Sequence, residues 1–280
     1  MAWIGDVVDY EQRQPVLARF LIGQIVGLSA GVTLGGIAAD HFSWRMPYVL
    51  LGGLFLAIAL ALFAMNTRLP ARARVQRRSQ GSALAGVVHD FGHVLSLPWA
   101  RIVLAVVFIE GALLYGSFVF VASHLHQRFD LSLSAAGGVV MLFGAGGFVF
   151  AVASPLFVKR LGEVGLVRWG GAAMMLALAT VAFTPYWAWA LPASLLLGLG
   201  FYMMHNTLQL NATQMAPERR GAAVAAFASS FFLGQSAGVS LAGWLVGHLG
   251  IGAVMGGSAL GLLALAWAFA GLRVTSRPRG

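Results

Sequence analysis

The sequence predicts an all-α, polytopic integral membrane protein of about eight transmembrane helices, and three observations carry that prediction. Only 10% of the 280 residues are charged and 59% are hydrophobic, whereas a soluble domain covers its surface with about 25% charged residues. Mean hydropathy is +0.82. The apolar residues fall in runs of about 20, the length that crosses a ~30 Å hydrocarbon core as a helix, and none alternates with the period of a barrel strand. A soluble enzyme, a disordered chain and a nucleic-acid binder are excluded on composition alone. The net charge of +9 sits in short clusters between apolar runs, where it orients spans rather than binding a polyanion.

The runs lie at residues 16–39, 46–65, 101–123, 135–158, 166–183, 187–210, 221–246 and 251–272. Short connections join most of them, at 40–45, 124–134, 184–186 and 248–250. The long one, 66–97, carries Arg72, Arg74, Arg77 and Arg78 and is expected to be a basic linker held near anionic headgroups. It divides the chain into two spans at 1–65 and six at 98–280. With that linker on the cytoplasmic side, sixteen of the eighteen basic residues fall there, and only Arg45 and Arg128 fall opposite. This bias predicts cytoplasmic termini. The start of the chain lacks the basic region, short apolar core and cleavage site of a signal peptide, and the absence of cysteine excludes thiolate metal sites and cysteine nucleophiles.

A shift of 207 residues lays one part of the chain on another without gaps. Gly27, Gly31, Gly35 and Gly36 fall on Gly234, Gly238, Ala242 and Gly243, Glu11 and Arg13 on Glu218 and Arg220, and His41 on His248. The first span is thereby equivalent to the seventh, so one repeat unit is six spans. The second unit is complete and the first has only its last two spans, so four further helices are expected to belong before them. They would sit in a missing N-terminal segment or in a partner chain.

These motifs resemble the major facilitator superfamily, in particular its bacterial drug- and sugar-efflux branch of proton antiporters. Gly27-Leu-Ser-Ala-Gly31-Val-Thr-Leu-Gly35-Gly36 is similar to the glycine-rich fifth-helix motif G-x-x-x-G-P-x-x-G-G, with Val32 in place of its proline. Asp40-His-Phe-Ser-Trp44-Arg45 is similar to the short outer loop that follows. Val158-Lys159-Arg160-Leu161-Gly162 resembles the second-half copy of the basic gating loop, without its aspartate. The resemblance covers helices five to twelve of that fold. It makes residues 1–65 the end of the N-terminal six-helix half and 98–280 the C-terminal half. It implies secondary efflux of a small organic solute by alternating access in the bacterial inner membrane, driven by protons, with Lys159 and Arg160 in the gating loop.

The residues themselves nominate a site. Glu110 is the only carboxylate within the eight runs, nine residues from Arg101 and so about 13 Å deep at 1.5 Å per residue. An ionised carboxylate there costs several kcal/mol unless protein or a cavity surrounds it. Such a group can load and release a proton, or serve as a structural hydrogen-bonded carboxyl. His205, Asn206 and Gln209 form a polar cluster at the end of the sixth run. They either bond neighbouring helices or line a substrate path, and Gln24, Gln235 and Tyr115 are further candidates for that path. Gly27, Gly31 and Gly35 lie four apart on one helix face, with Gly36 beside them, and small residues there permit close helix approach in lipid. His124 and His126 are expected in an outer loop, with too few neighbours for a metal site. No nucleophile–base set and no phosphate-cradling loop is present, so neither an enzyme nor a cofactor is expected. The competing reading is a fragment, or a subunit that needs a partner, without transport activity of its own.

Overall fold

The computed structural model describes residues 23, 26–27, 30–31, 33–38, 40–43, 45–66 and 83–275. Every regular element among them is helical. Helical residues between 23 and 41 are followed by α1 (Met46–Asn66), α2 (Ala83–Ser96), α3 (Pro98–Phe118), α4 (Val121–Phe129), α5 (Leu133–Phe183), α6 (Ala190–Gln214), α7 (Arg220–Leu249) and α8 (Ile251–Thr275). Among the described residues, six stretches are long and apolar enough to cross a membrane: Met46–Met65, Pro98–Phe129, Leu133–Phe183, Trp187–Gln214, Pro217–Leu249 and Ile251–Arg273.

Local chemistry sets the boundaries. Pro98 opens α3, where its missing N–H costs nothing. Ser132 caps α5 by accepting a hydrogen bond on Oγ from the Ala135 N–H at 3.1 Å. At 51 residues α5 has length for two crossings. Gly162, at φ 60° and ψ −178°, breaks it into two arms, using a left-handed backbone that glycine adopts without a Cβ penalty. The arms match the expected spans 135–158 and 166–183, but the expected loop shrinks to a bend around one residue.

Two other connections differ from expectation. Residues 124–134 are not all loop: α4 continues to Phe129 and stops where Asp130 turns left-handed at φ 53°. His124 is consequently buried, so His124 and His126 are not a pair in an open loop. Within the basic linker, residues 83–96 form the amphipathic helix α2, which places Asp90 against Arg219 at the start of α7.

The core lies among α3 to α8. α5 packs most extensively on α6 and α8, and α3 on α7. In lipid these contacts gain little from apolar burial, so close packing and dispersion hold them. Small residues make the approach possible. A methyl at Gly111 would stand 2.7 Å from the Phe231 carbonyl oxygen, and one at Gly116 would stand 2.9 Å from that of Gly238. One at Gly170 would stand 2.7 Å from the Gly200 oxygen on α6. By contrast, every residue of α1 from Tyr48 to Met65 is exposed.

Candidate functional site

Glu110 is fully buried on α3. Its position follows from the α3–α7 packing: a methyl at Gly234 would collide with the Phe108 carbonyl, and Gly111 meets the backbone of Phe231. These close approaches draw the Glu110 backbone tight against α7 and leave the carboxylate to be met by α6. There the His205 Nδ1 lies 2.8 Å from Glu110 Oε2. Oε1 has no hydrogen-bond partner among the described residues.

Aromatic rings hold the imidazole. Phe201, one turn earlier on α6, stacks on it at 4.8 Å and 27° between planes. From α7, Phe231 lies at 4.5 Å and Phe227 at 5.4 Å. The Tyr115 ring sits edge-on to Phe231 at 5.8 Å and to Phe201 at 6.4 Å. Phe143 of α5 closes the wall against Phe201 and Tyr202. The pair is thus a polar inclusion in an aromatic wall, with the His205 side chain 15% exposed and that of Glu110 not at all.

Burial makes the pair's net charge matter. Removing two ions from water costs several kcal/mol each, and their attraction at 4 Å returns about 4 kcal/mol at an effective dielectric constant of 20. Whichever of the two groups holds a single shared proton, the pair carries no net charge. Loss of that proton leaves one uncompensated negative charge in a low-dielectric wall.

The other sequence candidates scatter. Gln209 is half-buried one turn from His205, and Tyr115 and Gln235 are half-buried. Asn206 is exposed, away from the buried face of α6. Thr207 and Asn211 are buried, yet they donate to the Met203 and Thr207 carbonyls of their own helix at 2.9 and 2.8 Å. Gln24 lies outside the described residues. Lys159 and Arg160 are exposed just before the Gly162 bend. A methyl added at Gly27, Gly31 or Gly35 would meet nothing within 4 Å among the described residues. At Gly36 one would stand 2.6 Å from the Leu133 carbonyl oxygen. The Glu110–His205 pairing and the phenylalanine clamp went unread in the sequence. Their signal was the i, i+4 spacing of Phe201 with His205 and of Phe227 with Phe231.

Two polar links tie helix ends together. Asp40 accepts hydrogen bonds from the Leu133 N–H at 3.1 Å and the Ser134 N–H at 2.7 Å. It thereby caps α5 from the far side of the sequence, and hydrogen bonds from the Ser134 hydroxyl and amide hold its carboxyl below the usual carboxylate range. Just past the Gly162 bend of α5, Arg273 donates from Nη2 to Glu163 at 2.8 Å and lies over the Trp99 ring.

The profile of the Major Facilitator Superfamily matches residues 1–239. A protein named probable sugar efflux transporter from Helicobacter acinonychis (strain Sheeba) is 23% identical over 93% of this chain and 64% of its own length. The uncharacterized MFS-type transporter YceJ of Bacillus subtilis (strain 168) is 25% identical over 77% of this chain and 53% of its own. The chain therefore spans about two-thirds or less of these relatives. Among solved structures, that of the nucleoside transporter NupG superposes with a TM-score of 0.70 over 99% of this chain and 71% of that one, at 16% identity.

Proposed function

Because the chain belongs to the major facilitator superfamily, a family of membrane transporters and not of enzymes, we propose that it carries a small organic solute of the sugar type outward by alternating access, coupled to protons at Glu110. The observation that carries this reading is the burial of Glu110 against His205 inside an aromatic wall. A carboxylate so placed is neutral when it holds a proton and costly when it does not, so its protonation favours one arrangement of the surrounding helices over another. Half-buried Tyr115, Tyr202, Gln209 and Gln235 beside the rings offer the mixture of apolar faces and hydrogen-bonding groups that a polyhydroxylated solute needs. The sugar class also agrees with the name given to the Helicobacter relative.

In this reading residues 1–65 and 98–280 belong to two units that rock about the solute, 66–97 is the cytoplasmic linker, and Lys159 and Arg160 face the cytoplasm in a gating loop. Asn206 and the stripe of Gly27, Gly31 and Gly35 face the solute path or a helix beyond those described, and Gln24 is a further candidate for that path. The membrane is the bacterial inner one, with both chain ends in the cytoplasm.

The test is transport by the chain reconstituted in liposomes, with a panel of labelled mono- and disaccharides and an imposed proton gradient. Gradient-driven accumulation of a sugar, abolished by a protonophore and by Glu110→Gln, is expected. Uphill transport with normal pH dependence in Glu110→Gln removes the proton from this site, and no gradient-driven movement of any solute removes the transport reading. Orientation is read separately in this cysteine-free chain. An impermeant thiol reagent outside intact cells should label Gln127→Cys and not Ser79→Cys.

A further inference from the structure

Deepening the proton-coupling reading above, we infer that Glu110 and His205 titrate as one unit, and that the proton enters and leaves through His205 Nε2. Three observations support this. Glu110 has no exposed surface, so water does not reach its carboxylate directly. Its one hydrogen-bond partner among the described residues is the His205 Nδ1. The imidazole is partly exposed, and Nε2, which makes no hydrogen bond among the described residues, is not one of the buried unpartnered atoms. The ring therefore bridges an occluded carboxylate and an accessible edge.

The step balances as a tautomer exchange. In the deprotonated unit, neutral His205 donates its Nδ1–H to the Glu110 carboxylate, and the net charge is −1. A proton from water forms an Nε2–H bond. The Nδ1–H bond breaks and an Oε2–H bond forms, leaving a carboxylic acid, an imidazole with its hydrogen on Nε2, and no net charge. Phe201, Phe231 and Phe227 hold the ring in place, so the exchange needs no rotation. The groups facing the pair are few among the described residues. Tyr115 lies near Glu110 on α3, α6 stacks Phe201 on the imidazole, and α7 brings Phe227 and Phe231 against it. Phe143 of α5 packs behind them on Phe201 and Tyr202, and the basic residue of α8, Arg273, lies at that helix's end. No arginine or lysine within a helical turn competes for the carboxylate.

The experiment uses the whole chain in lipid nanodiscs and needs no substrate. The carboxylic-acid C=O stretch that Glu110→Gln removes is titrated by infrared difference spectroscopy between about pH 5 and 9, the range of an imidazole. The ring nitrogens of His205 are titrated by 15N NMR. We expect the carboxyl band to appear at the pH where the ring hydrogen moves from Nδ1 to Nε2. His205→Gln, which donates a hydrogen bond but relays no proton, should move the band's midpoint by at least one pH unit and slow proton uptake after a pH jump at least tenfold. Separate midpoints for ring and carboxyl in the unaltered chain overturn the relay even if the variant fails to fold. So does an unchanged midpoint and uptake rate in His205→Gln. Either result leaves Glu110 as the proton site, whereas a Glu110 band that never titrates removes that reading as well.

Discussion

Gly27, Gly31 and Gly35 carry the same spacing as Gly234, Gly238 and Ala242, 207 residues later, yet the two stripes meet different surroundings. The later stripe is buried, and methyls on its glycines would collide with the Phe108 and Ala112 carbonyls of α3. The earlier stripe faces open space among the described residues, and α1, which follows it, is exposed from Tyr48 to Met65. A row of small residues permits a close approach, but the opposing surface decides whether one occurs. α3 supplies that surface through Gly111 and Gly116, which receive the α7 backbone in turn. Among the described residues, Leu133 and Ser134 reach the first stripe at Gly36, with Asp40 fixing them a turn later.

The sharpest way to break this comparison is the same substitution in both stripes. Gly238→Leu should unfold the α3–α7 contact, costing about 3 kcal/mol or more, with a large fall in the thermal midpoint in detergent. Gly31→Leu should leave that midpoint within a few degrees while the chain still inserts. Equal destabilisation by the two would mean that the first stripe is packed like the second.

A smaller effect tests the link from packing to the site. Gly111→Ala places a methyl against the Phe231 carbonyl and should cost about 1–3 kcal/mol. Because Phe231 also clamps His205, the variant should shift the His205 ring resonances. Unshifted resonances would uncouple the helix contact from the pair.

The end links are smaller still. Glu163→Gln removes the charge that holds Arg273, and for a partly exposed pair about 1 kcal/mol is expected in chemical unfolding. Asp40→Asn should change global stability least, since its carboxylate is exposed; its effect is local. The lowered Asp40 value means the carboxylate cap is complete above the ordinary carboxylate range and is lost as pH falls through the lowered value. Hydrogen exchange at the Leu133 and Ser134 amides should quicken at that acid edge in the unaltered chain, and lack the acid step in Asp40→Asn. An acid step that survives in the variant would assign the pH response to a group other than Asp40.

Much of the fold was legible because lipid imposes one rule on every span: about 20 apolar residues, ended by polar or helix-breaking ones. Pro98, Ser132, Gly162 and Gly250 mark those ends in plain sequence. The linker helix α2 was less visible, since 14 residues with an apolar stripe read as neither span nor loop. Glu110 stood out as the single acid in an apolar run. Its partner did not, because His205 lies 95 residues away and sequence periodicity reports which residues share a helix face, not which faces meet. The repeat likewise equated two glycine stripes without revealing that only the later one meets an opposing surface among the described residues.

The bend at Gly162 constrains how α5 can move. A connection of many residues would let its two arms slide past each other like loosely tied rods. One glycine provides a pivot and almost no slack, and Glu163 just beyond it is pinned to Arg273 of α8. Lengthwise travel of the first arm, which carries Phe143 of the aromatic wall, is therefore passed to the second arm and its companion α8. The first arm keeps freedom only to swing about the pivot, as a crank does, so tilting rather than sliding is the motion this part of the protein is built to make.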